Sequence, residues 1–133
     1  MKYLELALTV ALAVLSHHAA ADWARVAGNN TVVCYADRAS IERRGEMAKM
    51  KNLLNFTLPQ TERSVDNKPY LSQREEREYD CRRERYRLLH FSLRADPMFS
   101  GALVRSGPDD GEWKKVAPGS LGAALWRAAC NKK

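Results

Sequence analysis

The sequence predicts an α+β, mainly β domain: an antiparallel sheet of about five to six strands with a C-terminal helix packed on it. Three observations lead there. Strand-length runs with apolar–polar alternation recur along the chain, bounded by Gly, Asn, Asp and Pro turn signals. A single stretch, 118–133, has helical apolar spacing behind a capping residue. The most charged stretch, 74–87, suits a helix by local propensity but has no apolar face to bury.

The first two runs, "DWARVAG" (22–28) and "TVVCYAD" (31–37), are joined by "GNN", a hairpin-type connection. "DRASIERRG" (37–45) reads as a turn with room for one helical turn, and "MAKMKNLLNFTL" (47–58) as the next strand. "PQTERSVDNKP" (59–69) is the loosest stretch and predicts an exposed loop. A helix over 73–89 would gain ion pairs such as Arg74 with Glu78. Its one large apolar residue before Arg85 is Tyr79, however, and helices of small domains owe most of their stability to a buried face. Beyond Arg85, Leu89, Phe91 and Leu93 alternate with Leu88, His90, Ser92 and Arg94, as a strand requires. Upstream, Arg77, Tyr79 and Cys81 alternate with Glu76, Glu78 and Asp80. The two runs predict a hairpin with an acidic outer face and "RRER" (82–85) as its connection. "GALVRS" (101–106) adds a short strand, and "GPDDG" (107–111) a further hairpin-type connection.

In "PGSLGAALWRAACNKK", Ser120 is a good N-cap, Leu121, Leu125 and Ala128 follow at helical spacing, and Lys132 and Lys133 lie near the carboxyl end. A helix of roughly ten residues is marginal alone in water. With Arg127 as the one charge in its body, it has to pack on the sheet. Trp23 and Trp113 are assigned to the core, the usual place for tryptophans beside strands in small domains.

"MKYLELALTVALAVLSHHAAA" (1–21) has the early lysine, apolar run and small-residue end of a secretory signal peptide. The apolar run covers 6–15, about half of the roughly 20 residues a bilayer span needs. Ala19 and Ala21 predict cleavage before Asp22, leaving 22–133 as one domain. A lipid anchor needs a cysteine at that position, so neither lipid anchor nor membrane span is expected. Cleavage removes one base, Lys2, and one acid, Glu5, so the net charge of +6 is unchanged and favours anionic partners. Export places thiols in an oxidising compartment, where Cys34, Cys81 and Cys130 allow one bridge and leave one over.

Trp23 near the predicted mature start, "YADRASI" (35–41) with Asp37, Ser40 and Ile41, "EYDC" (78–81) and "EWKKVAPGSLGAALWRAAC" (112–130) together resemble the surface-adhesin protein E family of small exported proteobacterial proteins. The resemblance spans nearly the whole mature chain. It implies an antiparallel sheet of about six strands with a C-terminal helix held to it by a disulfide, and it places that bridge on Cys81 and Cys130. The named adhesins of the family are lipid-anchored and contact host matrix and plasma proteins; this sequence departs from them at Asp22, where they have cysteine. Cys34, in a strongly apolar strand, is then expected to be a buried, inert free thiol. A homodimer stays open.

Catalytic chemistry is sparse. His17 and His18 leave with the signal peptide, so His90 stands alone, pointing outward from a strand, which excludes a two-histidine nuclease and leaves a Ser-His-Asp site without a placed base. No C-x-x-C or H-x-x-x-H spacing exists, and no metal or cofactor is expected. Glu75, Glu76, Glu78 and Asp80 read as a solvated strand face answering nearby arginines, not as the paired carboxylates of a hydrolase. The 74–87 segment holds six arginines against five acids, too balanced to bind phosphate, and nucleic acid is not an expected partner. The expected function is therefore a non-enzymatic exported binding module, periplasmic or extracellular. Its candidate basic surface, Arg43, Arg44, Lys49, Lys51, Lys114 and Lys115, would meet a host extracellular-matrix or envelope protein, or an anionic glycan. The alternative is a periplasmic structural or envelope-accessory protein with no host ligand.

Overall fold

The alternating runs form six antiparallel strands that are neighbours in space in the order in which they occur in sequence. They are β1 (Trp23–Gly28), β2 (Val32–Arg44), β3 (Met47–Gln60), β4 (Tyr70–Asp80), β5 (Arg85–Asp96) and β6 (Ser100–Pro108). A two-residue β7 (Lys114–Lys115) pairs with β5, and α1 (Leu121–Cys130) ends the chain. A computed structural model describes residues 21–131; the expected signal peptide up to residue 20, and Lys132 and Lys133, lie outside the described residues.

Local chemistry accounts for most boundaries. Asn29 Oδ1 accepts the amides of Thr31 and Val32 and closes the β1–β2 turn. Gly45 takes a positive φ of 58° at the tip of β2–β3, where a side chain would be strained. The β4–β5 turn covers 81–84, so Cys81 opens the connection instead of ending the strand. Asp80 organises it: Oδ1 accepts the amides of Arg82 and Arg83, and Oδ2 pairs with Arg85 at 3.0 Å. Burial alone would raise the Asp80 carboxyl, but the Arg83 and Arg82 amides and the Arg85 guanidinium outweigh it and hold it below the usual range. Ser120 caps α1 as expected, its Oγ accepting the Ala123 amide at 3.1 Å.

Four expectations are corrected. "DRASIERRG" is no turn: β2 runs through it to Arg44, with a register break between Asp37, opposite Lys51, and Glu42, opposite Lys49. Ser40 stitches this bulge, its Oγ donating to the Asp37 carbonyl and accepting the Lys51 amide. "GPDDG" is no hairpin. β6 uses only His90–Asp96 of β5, and the chain then crosses a gap so that Lys114 and Lys115 extend the same edge opposite Tyr86 and Arg85. The acidic residues of β4 are not one solvated face, because Glu75 and Asp80 are 3% and 2% exposed. Trp23 and Trp113 are half-buried and lie outside the core; the guanidinium carbons of Arg85 and Arg87 sit 4.4 and 4.7 Å from a Trp113 ring centroid.

Register puts Cys34, Ala36, Ala48, Met50 and Tyr79 on one face, and α1 covers them with Ala123, Leu125, Trp126 and Ala129. Burying Leu125 fully contributes about 2 kcal/mol. Trp126 also donates from Nε1 to the Asp80 carbonyl at 2.9 Å, and the Cys81–Cys130 disulfide fixes the end of the helix beside it. With the cysteines 49 positions apart in sequence, loop closure contributes about 4 kcal/mol in the chain-entropy model. Cys34 is free and 1% exposed, and burial pushes its thiol up to about 11.

A second cluster lies toward the other end: Tyr70, Phe91 and Leu93, with Phe56, Leu88 and Val104 against it. The 61–69 loop is pinned there by Arg63, whose guanidinium lies 4.7 Å from the Phe91 centroid and pairs with Asp109 at 3.0 Å. Register places Asn52, Gln73, Glu75 and Arg77 on the helix-bearing face as well. Glu75 accepts from Asn52 Nδ2 at 2.7 Å, from Arg77 at 2.8 Å and from Gln73 at 3.0 Å, while the Tyr79 hydroxyl donates to Asn52 Oδ1. Burial raises the Tyr79 hydroxyl out of the titration range of ordinary conditions. Burial alone would lower Arg77, but Glu75 and the neighbouring tyrosines more than offset it.

Candidate functional site: an arginine-lined trough beside the helix

The six basic residues singled out from sequence come from separate places. Lys49 and Lys51 face away from the helix. Lys49 stands between Glu42 and Glu78 across the strands, and Lys51 between Asp37 and Glu76. Each is therefore flanked by two carboxylates, and Glu78 is itself paired to Arg87 at 2.6 Å. Arg44 shares the hollow formed by Glu42, Met47, Lys49 and Glu78, where charges of both signs mix. Lys114 and Lys115 sit on β7, at the opposite edge of the sheet from β1 and β2. Arg43 alone turns toward the helix, donating from Nε to the Gly45 carbonyl at 2.9 Å and from a terminal nitrogen to the Cys130 carbonyl at 3.4 Å.

Around Arg43 the structure gathers arginines that sequence reasoning did not group. Two adjoining hollows of about 420 and 240 Å³ run between α1 and the β1–β2 hairpin. Arg38, Ile41, Arg43, Arg127, Ala128, Ala129 and Asn131 line one; Arg25, Val26, Arg38, Ala124, Arg127 and Ala128 line the other. Arg38 and Arg127 are common to both, and no acidic residue lines either.

Three local features build this trough. Arg38 follows Ala36 on the helix-facing side of β2, and the Ser40-stitched bulge lets Ile41 and Arg43 reach the same side three and five residues later. Arg25 borders the trough only through its place on edge strand β1, because it stands opposite Tyr35 on the face away from the helix and its guanidinium lies beside Gly28 and Val33. Arg127 is exposed on α1, whose other side is pressed onto the sheet by Leu125, Trp126 and Ala129. Asn131, left-handed at φ 53°, ends the helix and donates its amide to the Arg127 carbonyl. The helix carboxyl end carries a partial negative charge, which Arg43 meets directly at Cys130. The trough thus offers several guanidinium forks over small aliphatic walls, an arrangement suited to anions and without a nucleophile or base.

The exposed His90, opposite Glu76 and Pro108, is far in the strand order from this trough. Among the described residues, no group of three or more His, Cys, Asp and Glu could hold a metal ion. Nor is any described helix long and apolar enough to cross a membrane.

No curated protein matches the chain. Among solved structures, the selenomethionine form of Haemophilus influenzae protein E matches with a TM-score of 0.63 at 12% identity, over 84% of this chain and 91% of that one. Crystal form II of the same protein matches with 0.62 at 12%, over 84% and 92%. Protein E from non-typeable Haemophilus influenzae matches with 0.58 at 13%, over 80% and 75%. At such identities the likeness is one of fold. The profile of the surface-adhesin protein E family matches residues 23–131, and the chain belongs to that family.

Proposed function

We propose that the protein is a non-enzymatic, exported binding module of the bacterial envelope that captures an anionic macromolecule, a host matrix or envelope protein or a glycan, through its basic surface. Family membership supports an adhesin-like surface role. The observation that carries the anionic partner is the trough, where Arg38, Arg43 and Arg127 meet no acidic lining residue while Lys49 and Lys51 on the other face stand among carboxylates. Guanidinium forks in a hollow recognise carboxylate, sulfate or phosphate by paired hydrogen bonds as well as by charge. Pull-down of matrix and envelope components by the purified protein at low and moderate salt tests this reading. Salt-weakened but selective capture is expected, and the absence of any partner at low salt would refute it.

Asp22, where the lipid-anchored adhesins have cysteine, favours a second reading: an envelope-accessory protein confined to the periplasm. Cell fractionation separates the two, since protein never found at the surface or in the medium would overturn the adhesin-like reading.

A further inference from the structure

We infer that the trough between α1 and the β1–β2 hairpin is the binding site itself, and that its ligand is a saccharide bearing sulfate or phosphate groups. This rests on the anionic-partner reading above and narrows it to one surface and one chemical class. Two adjoining hollows that share Arg38 and Arg127 form an elongated site, with Arg43 at the end beside the helix terminus. An extended ligand with anions at intervals satisfies that layout better than one compact ion. The walls between the arginines are Val26, Ile41, Ala124, Ala128 and Ala129. Aromatic side chains are missing from this lining, so an unpaired nucleic acid base has nothing to stack on.

The helix end supplies the second requirement. A helix leaves its last carbonyls without intrahelical donors, and here the Asn131 amide serves Arg127 and the Arg43 side chain serves Cys130. Ala128 and Ala129, between those two, line the hollow. Asn131 lines the same hollow as Arg43 and Arg127, so the ligand is best matched if it brings hydroxyls for an amide as well as anions for the guanidiniums. A sulfated or phosphorylated sugar has both; bare polyphosphate has only the anions.

The chemistry has two sources, a sulfated matrix glycan and the phosphorylated sugar backbone of an envelope lipid, and two probes distinguish them. One is a heparin-derived octasaccharide, and the other a deacylated glucosamine disaccharide bisphosphate. Calorimetric titration of the purified protein is expected to show binding of at least one probe. R38E/R127E should weaken it at least tenfold, while K49E/K51E/K114E/K115E should change it less than threefold, both variants keeping the parent's near-ultraviolet circular dichroism and melting temperature. R38K/R127K, which keeps the charge but not the forks, should lose a smaller but measurable part. Failure of both probes to bind, or equal losses in the two charge-reversal variants, would overturn the trough as the saccharide site. The wider reading would stand in either case if the pull-down still captures a salt-sensitive partner, and would fall with it if it does not. Should R38E/R127E lose binding only together with its folded spectrum, R38E alone, which leaves α1 untouched, gives the decisive comparison.

Discussion

The two ends of the helix-bearing face are closed in different ways. At one end a buried cluster of twelve residues, five of them in α1 itself, joins the helix to the sheet, and a covalent bridge holds the lid. At the other, three buried residues lie near a loop fastened by one arginine, its aromatic neighbour and one carboxylate. Hydrophobic burial scales with the apolar area removed from water, whereas an arginine pair that is partly exposed contributes about 1 kcal/mol at most. Opening is therefore expected to be local, the loop end loosening while the helix end stays closed. The buried polar network of Asn52, Gln73, Glu75, Arg77 and Tyr79 occupies the same face and holds neighbouring strands in register.

The strongest way to break the contrast is to cut the bridge. A Cys81→Ser, Cys130→Ser variant is expected to lose about 4 kcal/mol in urea unfolding, out of the roughly 5 to 15 typical of a domain, with α1 amides exchanging earliest. A loss below about 1 kcal/mol would mean that burial under α1 suffices and the tether does not distinguish the ends. The network comes next. Glu75→Gln leaves the Arg77 guanidinium, whose side chain is 12% exposed, without a countercharge and should cost about 3 kcal/mol, read as a lower urea midpoint with unchanged slope. Arg63→Ala should cost about 1 kcal/mol and speed hydrogen exchange in 61–69 without affecting α1. Faster exchange at both ends would show that they open as one unit.

Acid gives the mildest test. Burial alone would raise the Asp109 carboxyl, but hydrogen bonds from Asp110 and the Arg63 guanidinium outweigh it and hold it below the usual range. Its contribution is therefore fully present above the unfolded value of about 3.9 and is lost as pH falls through the lower folded one. Protection of the 61–69 amides, taken against their intrinsic rate at each pH, should fall below about pH 4, and less so in Arg63→Ala. Asp80 is held low as well, but its turn lies beside the bridge, so the helix end should respond later.

Elements defined by their own residues were legible in the sequence. Ser120 and the spacing of Leu121, Leu125 and Ala128 specify α1 locally, and the missing apolar face of 73–89 rules out a helix there. Features that depend on a partner strand were not. Asp37, Arg38 and Ser40 carry turn chemistry, and what makes them a bulge is a hydrogen bond from Lys51, on another strand. "GPDDG" has the composition of a hairpin, but β6 leaves Arg85 and Tyr86 of the twelve-residue β5 unpaired, and β7 fills that vacancy. Glu75 looks solvated until Asn52, Gln73 and Arg77 converge on it. The trough was half visible for the same reason: Arg43 stood out in a basic run, whereas Arg25, Arg38 and Arg127 are isolated residues from three elements. Arg127, the one charge in the body of the helix, was the signal that could have pointed to it.

The strand order has a consequence for how the molecule assembles. Because β2 to β6 each pair with the strand just before them, every strand after the first finds its template already formed as the chain emerges from its amino-terminal side. Among the described elements α1 and Cys130 reach farthest back across the chain, α1 to β1 and β2 and Cys130 to the β4–β5 turn. Residues 120–131 thus close a face that the strands alone leave open. A chain truncated before Ser120 is expected to pair its strands while leaving Cys81 without its partner and Ala36, Ala48 and Tyr79 open to water, which thiol titration and binding of an apolar dye would read.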